Sequence, residues 1–129
     1  MGRLDGKVAL ITGGARGMGA EDSRLFAAEG AVVVLTDVLD DLGAETASKS
    51  EGASYHNLEI RNGAEWQAVV DQVMSDQGRI DVLVNNAGVD LVKMLRATTI
   101  EEFEQVTDIK LRGTFLGMRT VAEAMIKAE

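Results

Sequence analysis

The stretch LITGGARGMGAED, residues 10–22, is an apolar run that breaks into a turn crowded with glycines. The run has the composition of a strand, and the residues after the turn open a helix. Glycines at 13, 14, 17 and 19 take away the side chains that would hold a ligand off the backbone. Exposed N–H groups ahead of a helix N-terminus make an anion site, and a strand, glycine turn and helix in that order suit a pyrophosphate. A glycine-rich turn by itself carries this meaning weakly, because ordinary turns share its composition. Its surroundings have to decide.

Working outward, the runs KVALIT (7–12), AVVVLT (31–36), ASYHNL (53–58) and IDVLVN (80–85) have the length of strands covered on both faces. Helical spacing fills the intervals, and Gly30, Gly52 and Gly78 stand where helices would stop before the next strand. Asn62 with Glu65 three residues later has a capping-box pattern, and the fourth helix opens near Thr98 or Thr99 with Glu101 and Glu102 behind them. It would run on to residue 127. Strands alternating with helices, joined by right-handed crossovers, predict an α/β, doubly wound parallel sheet with helices on both faces and strand order 3-2-1-4. The ligand then belongs at the carboxyl ends of strands 1 and 4, where the order reverses.

Composition narrows the ligand. The 129 residues, 46% of them apolar, suit one domain spanning 1–129 with a real core. The absence of cysteine and a single histidine leave no metal site to expect. A formal net charge of −8 argues against nucleic acid and anionic lipid, whose binding needs clustered Lys and Arg. The N-terminus lacks the apolar core of a signal peptide and no stretch approaches transmembrane length, so a cytoplasmic protein with a small ligand is expected.

Two features sharpen the turn's meaning. Asp37 falls at the end of strand 2, eighteen residues beyond Gly19, where a carboxylate can accept hydrogen bonds from adenosine ribose hydroxyls. Taken singly, it reads more readily as a helix cap. NNAG, Asn85 to Gly88, ends strand 4 on the opposite wall of the same crevice.

With Thr12, Gly13, Gly17 and Gly19 in a TGxxxGxG pattern, these residues resemble the short-chain dehydrogenase/reductase family from Lys7 to Lys127. GGARGMG, LTDVLD and TFLGMR look most like its hydroxysteroid-dehydrogenase-like branch. The resemblance implies a Rossmann-like fold, truncated relative to the full family fold, and a nicotinamide dinucleotide used to interconvert alcohols and carbonyls. It carries cofactor contacts onto Thr12, Gly13, Ala15, Arg16, Gly17, Met18, Gly19, Asp37, Glu59, Ile60, Asn86, Ala87 and Gly88. Glu59 stands where the family usually has an aspartate that meets the adenine ring, and its extra methylene shifts the carboxylate. Asp37 would repel the 2′-phosphate of NADP, and Val38 adds no compensating charge, so NAD is expected. Arg16 is the one counter-signal.

No catalytic set is expected within this chain. The family uses a tyrosine followed four residues later by a lysine, whereas the one tyrosine here, Tyr55, is followed at that spacing by Glu59. The family's asparagine in the long helix is Lys110, either a charge left exposed or a new polar contact. The chain resembles the N-terminal half of such an enzyme; a dinucleotide-binding module without chemistry and a folding or assembly fragment are the other readings.

The remaining residues read as structure. His56 and Tyr55 belong to a strand, Trp66 packs the third helix, and Met18, Met74, Met118 and Met125 fill the core. Asp22 sits awkwardly on the sheet-facing stripe of the first helix. Ending the chain after helix 4 leaves strand 80–85 as a sheet edge, and helix 99–127 carries Phe103, Val106, Phe115, Leu116 and Met125. A homodimer or larger species through one of these surfaces is expected.

Overall fold

The computed structural model describes residues 2–128; Met1 and Glu129, the ends of the expected domain, lie outside the described residues. Strands β1 (Val8–Thr12), β2 (Val32–Asp37), β3 (Ala53–Asn57) and β4 (Val82–Val84) form one sheet in the order β3-β2-β1-β4. All three pairings are parallel, with Leu10 opposite Val34 and Leu83 in the central rows. The expected order 3-2-1-4 is the observed one.

Side-chain alternation along the strands creates two apolar layers. Val8, Leu10 and Val34 face one side, where α3 (Gly63–Gln77) and α5 (Gly113–Lys127) cover them with Trp66, Val70, Val73 and Val121. Ile11, Val33 and Leu35 face the other side, under α1 (Gly17–Ala28) and α2 (Asp40–Ser48), against Phe26, Ala27 and Ala47. Both faces of β1 and β2 are therefore dry, which is why these strands read as unbroken apolar runs.

Helix ends follow the side chains, with two departures from expectation. Gly30 and Gly78 have positive φ and close α1 and α3. Helix α2 stops earlier, at Ser48, because the Lys49 and Ser50 amides fold back onto the Thr46 and Ala47 carbonyls; Gly52 instead supplies the positive φ of the turn before β3. Asn62 caps α3 by accepting from the Glu65 amide at 3.1 Å. The reciprocal half of that box is missing, since the Glu65 carboxylate accepts from the Glu59 amide. The complete capping box is at α4 (Ile100–Thr107), between Thr99 and Glu102.

The fourth helix is not the uninterrupted α-helix the sequence suggests. Between α4 and α5 the backbone opens into one π turn, Asp108–Arg112. The wider turn re-phases α5, so that Gly113 and Gly117 both meet the core. A Cβ at Gly113 would lie 2.5 Å from Ile60 Cδ1, and one at Gly117 would lie 2.7 Å from the Trp66 ring. Other expectations need correction on grounds of exposure. Met18 and Met118 are 75% and 57% exposed and fill no core, while Met74 and Met125 pack against it. Asp22 is half-buried at the stripe's edge, because Gly19 and Ser23 take the sheet-facing positions of α1. No helix among the described residues is long and apolar enough to cross a membrane.

Candidate functional site

The carboxyl ends of the strands converge on a cleft of about 490 Å³. Its first wall is the glycine turn after β1. Gly13 and Gly17 adopt positive φ, which glycine tolerates without strain. A Cβ on Gly13 would stand 2.8 Å from Ala87 Cα, and one on Gly19 would overlap the Gly13 carbonyl oxygen and reach within 2.6 Å of Asn86 Nδ2. These glycines are needed for the approach of backbone to backbone. The turn is tied from outside as well: the Gly14 amide donates to the Thr36 carbonyl, and the Thr46 hydroxyl donates to the Ala15 carbonyl at 2.7 Å.

The facing wall is the loop after β4, bound to the turn by one buried hydroxyl. Thr12 Oγ1 accepts from the amides of Asn86 (3.1 Å) and Ala87 (3.0 Å) and donates to the Val84 carbonyl. Asn86 Nδ2 returns the contact, donating to the carbonyls of Thr12 and Gly13 at 3.2 Å each. Residues more than seventy positions apart thus make one rigid rim.

Asp37, the last residue of β2, completes the floor. One carboxylate oxygen accepts from the Ala15 amide at 3.1 Å, the other from the amides of Val38 and Leu39 at 2.8 and 3.3 Å. Three of the carboxylate's roughly four acceptor sites are thus filled, which fixes it in place and leaves the oxygen bonded to Ala15 with one to offer a ligand hydroxyl. At the far end, both Glu59 oxygens are held by Arg61, at 3.1 and 2.9 Å from its guanidinium nitrogens. Those bonds, working against partial burial, keep the Glu59 carboxyl below the usual range for a glutamate.

Of the residues singled out from sequence, Gly13, Arg16, Gly17, Met18, Asp37, Glu59, Ile60, Asn86, Ala87 and Gly88 line the cleft. Thr12, Ala15 and Gly19 do not; they are buried behind it and hold its rim. Sequence reasoning missed Val38, Leu39, Leu58, Val89, Asp90 and Ile109 as lining residues. Direct adjacency to Asp37, Glu59 and Gly88 was a usable signal for Val38, Leu58 and Val89, and Leu39 and Asp90 lie one position further on. Ile109 had none, since the π turn brings it in. Lys110, in the same turn, donates to Asp90 Oδ1 at 3.0 Å and lays its stem over Gly88 while its side chain stays half exposed, so it is an exposed charge and makes a new polar contact as well. No group of three or more metal-ligating side chains occurs among the described residues.

A parallel sheet in this order, with a glycine-lined cleft at its reversal point, defines a dinucleotide-binding type of α/β protein. Residues 7–129 match the family model described as short chain dehydrogenase. The chain belongs to the short-chain dehydrogenase/reductase family. It is 43% identical over 128 residues to a 3-alpha-(or 20-beta)-hydroxysteroid dehydrogenase of Mycobacterium tuberculosis, covering 98% of this chain and 49% of that protein. It is 41% identical over 132 residues to a cyclopentanol dehydrogenase of Comamonas testosteroni, covering 99% of this chain and 53% of the relative. Among solved structures, a short chain dehydrogenase/reductase from Burkholderia phymatum in complex with NAD superposes with a TM-score of 0.90 at 30% identity, over 98% of this chain and 47% of that one. The chain spans about half the length of the curated relatives it matches.

Proposed function

We propose that the cleft binds NAD, and that the chain is the cofactor-binding portion of an oxidoreductase that interconverts an alcohol and a carbonyl. The observation that carries this reading is the convergence of three features on one cleft: the glycine turn, the fixed Asp37 carboxylate and the Asn86–Gly88 wall. The turn and the N-terminus of α1 suit a pyrophosphate. Asp37 suits free ribose hydroxyls and disfavours a 2′-phosphate, which would bring like charge against a carboxylate already fixed by backbone amides. Arg16 is exposed at the rim and is the only basic residue lining the cleft among the described residues, too little to reverse that preference. Bound NAD supplies the hydride acceptor; the residues of this chain bind and orient it.

The NAD complex of the solved relative and the alcohol-oxidising names of the curated relatives support the reading. This sequence contains no Tyr-x-x-x-Lys, so the chain by itself is expected to bind dinucleotide without turnover. A cytoplasmic setting agrees with the absence of cysteine. Titration of NADH fluorescence tests the binding. NADH is expected to bind with a dissociation constant weaker than about 1 μM and more tightly than NADPH, and Asp37→Ala narrows the difference. Equal affinity for the two in the unmodified chain refutes the assignment.

A second reading, a dinucleotide-binding module without chemistry, is favoured by Lys110. It holds the family's asparagine position and is bonded to Asp90. Alcohol-dependent NADH formation by the protein in its native host form separates the two readings.

A further inference from the structure

The segment from Asp37 to Asp40 carries the cleft's carboxylate and two apolar lining residues, Val38 and Leu39. Leu39 precedes α2 without a side-chain cap, so the start of that helix depends on contacts from elsewhere. They come from β3. Tyr55 Oη lies 2.7 Å from Asp40 Oδ1 and 2.8 Å from the Asp37 carbonyl oxygen, and Asn57 Nδ2 donates to the same Asp40 oxygen at 2.8 Å. The Asp37 carbonyl also accepts from the Leu58 amide at 3.0 Å. The Tyr55 ring occupies the place a side chain at Gly43 would need, which seats the hydroxyl against the first turn of α2. Burial, and next the Asp40 carboxylate, push the phenol's pKa upward, so the hydroxyl keeps its proton and stays a donor.

Asp37 is therefore gripped twice. Its carboxylate is held by the amides of Ala15, Val38 and Leu39, and its carbonyl by the Leu58 amide and by the single Tyr55 proton, which it shares with the Asp40 carboxylate. We infer that Tyr55, acting through Asp40 and the Asp37 carbonyl, is a positioning residue that sets the Asp37 turn and thereby the discrimination between free and 2′-phosphorylated dinucleotides. This inference rests on the NAD reading of the cleft, and it deepens that reading by naming what holds the selecting carboxylate in place. Tyr55 itself does not line the cleft.

Tyr55→Phe keeps the ring over Gly43 and removes only the hydroxyl. Dissociation constants for NAD and NADP, measured by calorimetry on the unmodified chain and the variant, give the readout. The NAD constant should rise about three- to tenfold, the worth of one net hydrogen bond, while the NADP constant changes less than about twofold on the same scale. A merely structural role would shift both constants by one factor and leave their ratio unchanged, and that result overturns the inference. If the phenylalanine variant does not fold, Asn57→Ala removes the second donor to Asp40 and is expected to lower the ratio in the same direction. An unchanged ratio there counts equally against the inference. Amide exchange at Val38 and Leu39, measured without dinucleotide, separates the two levels of the claim. If the unmodified chain shows no preference, the NAD reading fails, and exchange at those amides then decides the positioning role. Faster exchange in Tyr55→Phe upholds it, and unchanged exchange rejects it.

Discussion

Replacing Thr12 by Val deletes one hydroxyl and keeps the shape of the side chain almost unchanged. Thr12 is 1% exposed, and its oxygen accepts from the amides of Asn86 and Ala87 while donating to the Val84 carbonyl. Valine leaves both amides without their acceptor. A buried donor left unsatisfied costs about 1–3 kcal/mol; because the loop is only partly buried, the two together should cost about 2–4 kcal/mol on that scale. For a chain of this length that lowers the melting temperature by on the order of 10 °C. Urea unfolding followed by fluorescence of the buried Trp66 measures the change, and an unchanged m-value shows that stability and not compactness has moved. Thr12→Ser is the control, since it keeps the acceptor and loses a methyl group worth about 1 kcal/mol. NAD affinity should fall in the valine variant as the Asn86–Gly88 wall loosens. Equal stability of the valine and serine variants, with NAD affinity unchanged in both, would show that the hydroxyl does not join the two walls.

Close approach, charge and association can each be tested in turn. Gly19→Ala places a methyl group on the Gly13 carbonyl and Asn86 Nδ2, so it should destabilise the fold by about 1–3 kcal/mol and weaken NAD more than tenfold; calorimetric affinity near that of the unmodified chain refutes the close approach. Asp81 accepts hydrogen bonds from Arg79, its largest influence, and from the Val8 amide, and its carboxyl lies below the ordinary value. A folded-state pKa lowered in this way contributes stability above the unfolded value of about 3.9, and the contribution is lost as pH falls through the folded value. Urea titrations should therefore show Asp81→Asn less stable than the unmodified chain at pH 6, with the gap closing below about pH 4. Phe103 and Phe115 are 61% and 57% exposed along the outside of the long helix, and β4 is an edge of the sheet, so sedimentation at low micromolar concentration should report a dimer or larger species. A lasting monomer would show that neither surface needs a partner.

The sheet order was legible because strand and helix signals alternate along the chain, and most plainly at β1 and β2; β3 and β4 are only partly buried, and the expected strand 80–85 is reduced to Val82–Val84. Runs such as VALIT and VVVLT are buried on both faces, and their lengths fit the strands they form. The cleft was legible where chemistry and position coincide: glycines after β1, a carboxylate at the end of β2, and NNAG after β4. The features that escaped depend on register and distance. The π turn at Asp108–Arg112 is a change of hydrogen-bond partner that no residue type in DIKLR marks, and it is what brings Ile109 to the cleft. Thr12 was named as a ligand contact, whereas its hydroxyl bonds to amides seventy-four and seventy-five residues away, a pairing visible only once β1 and β4 lie side by side. Tyr55 read as an ordinary strand residue because Asp40, its partner, sits on a helix whose placement local sequence does not specify.

The cleft reading is tested most directly by mapping nitrogen-15 amide shifts of the chain as NAD is added. Progressive shifts should concentrate at Gly13 to Gly19, Asp37 to Leu39 and Asn86 to Gly88, the three segments that converge on the cleft, with NADP producing smaller shifts at the same concentrations. Shifts centred instead on the groove beside Phe103, Leu111 and Phe115, or no shifts in the glycine turn at millimolar NAD (on the order of the weakest useful affinity), would contradict it.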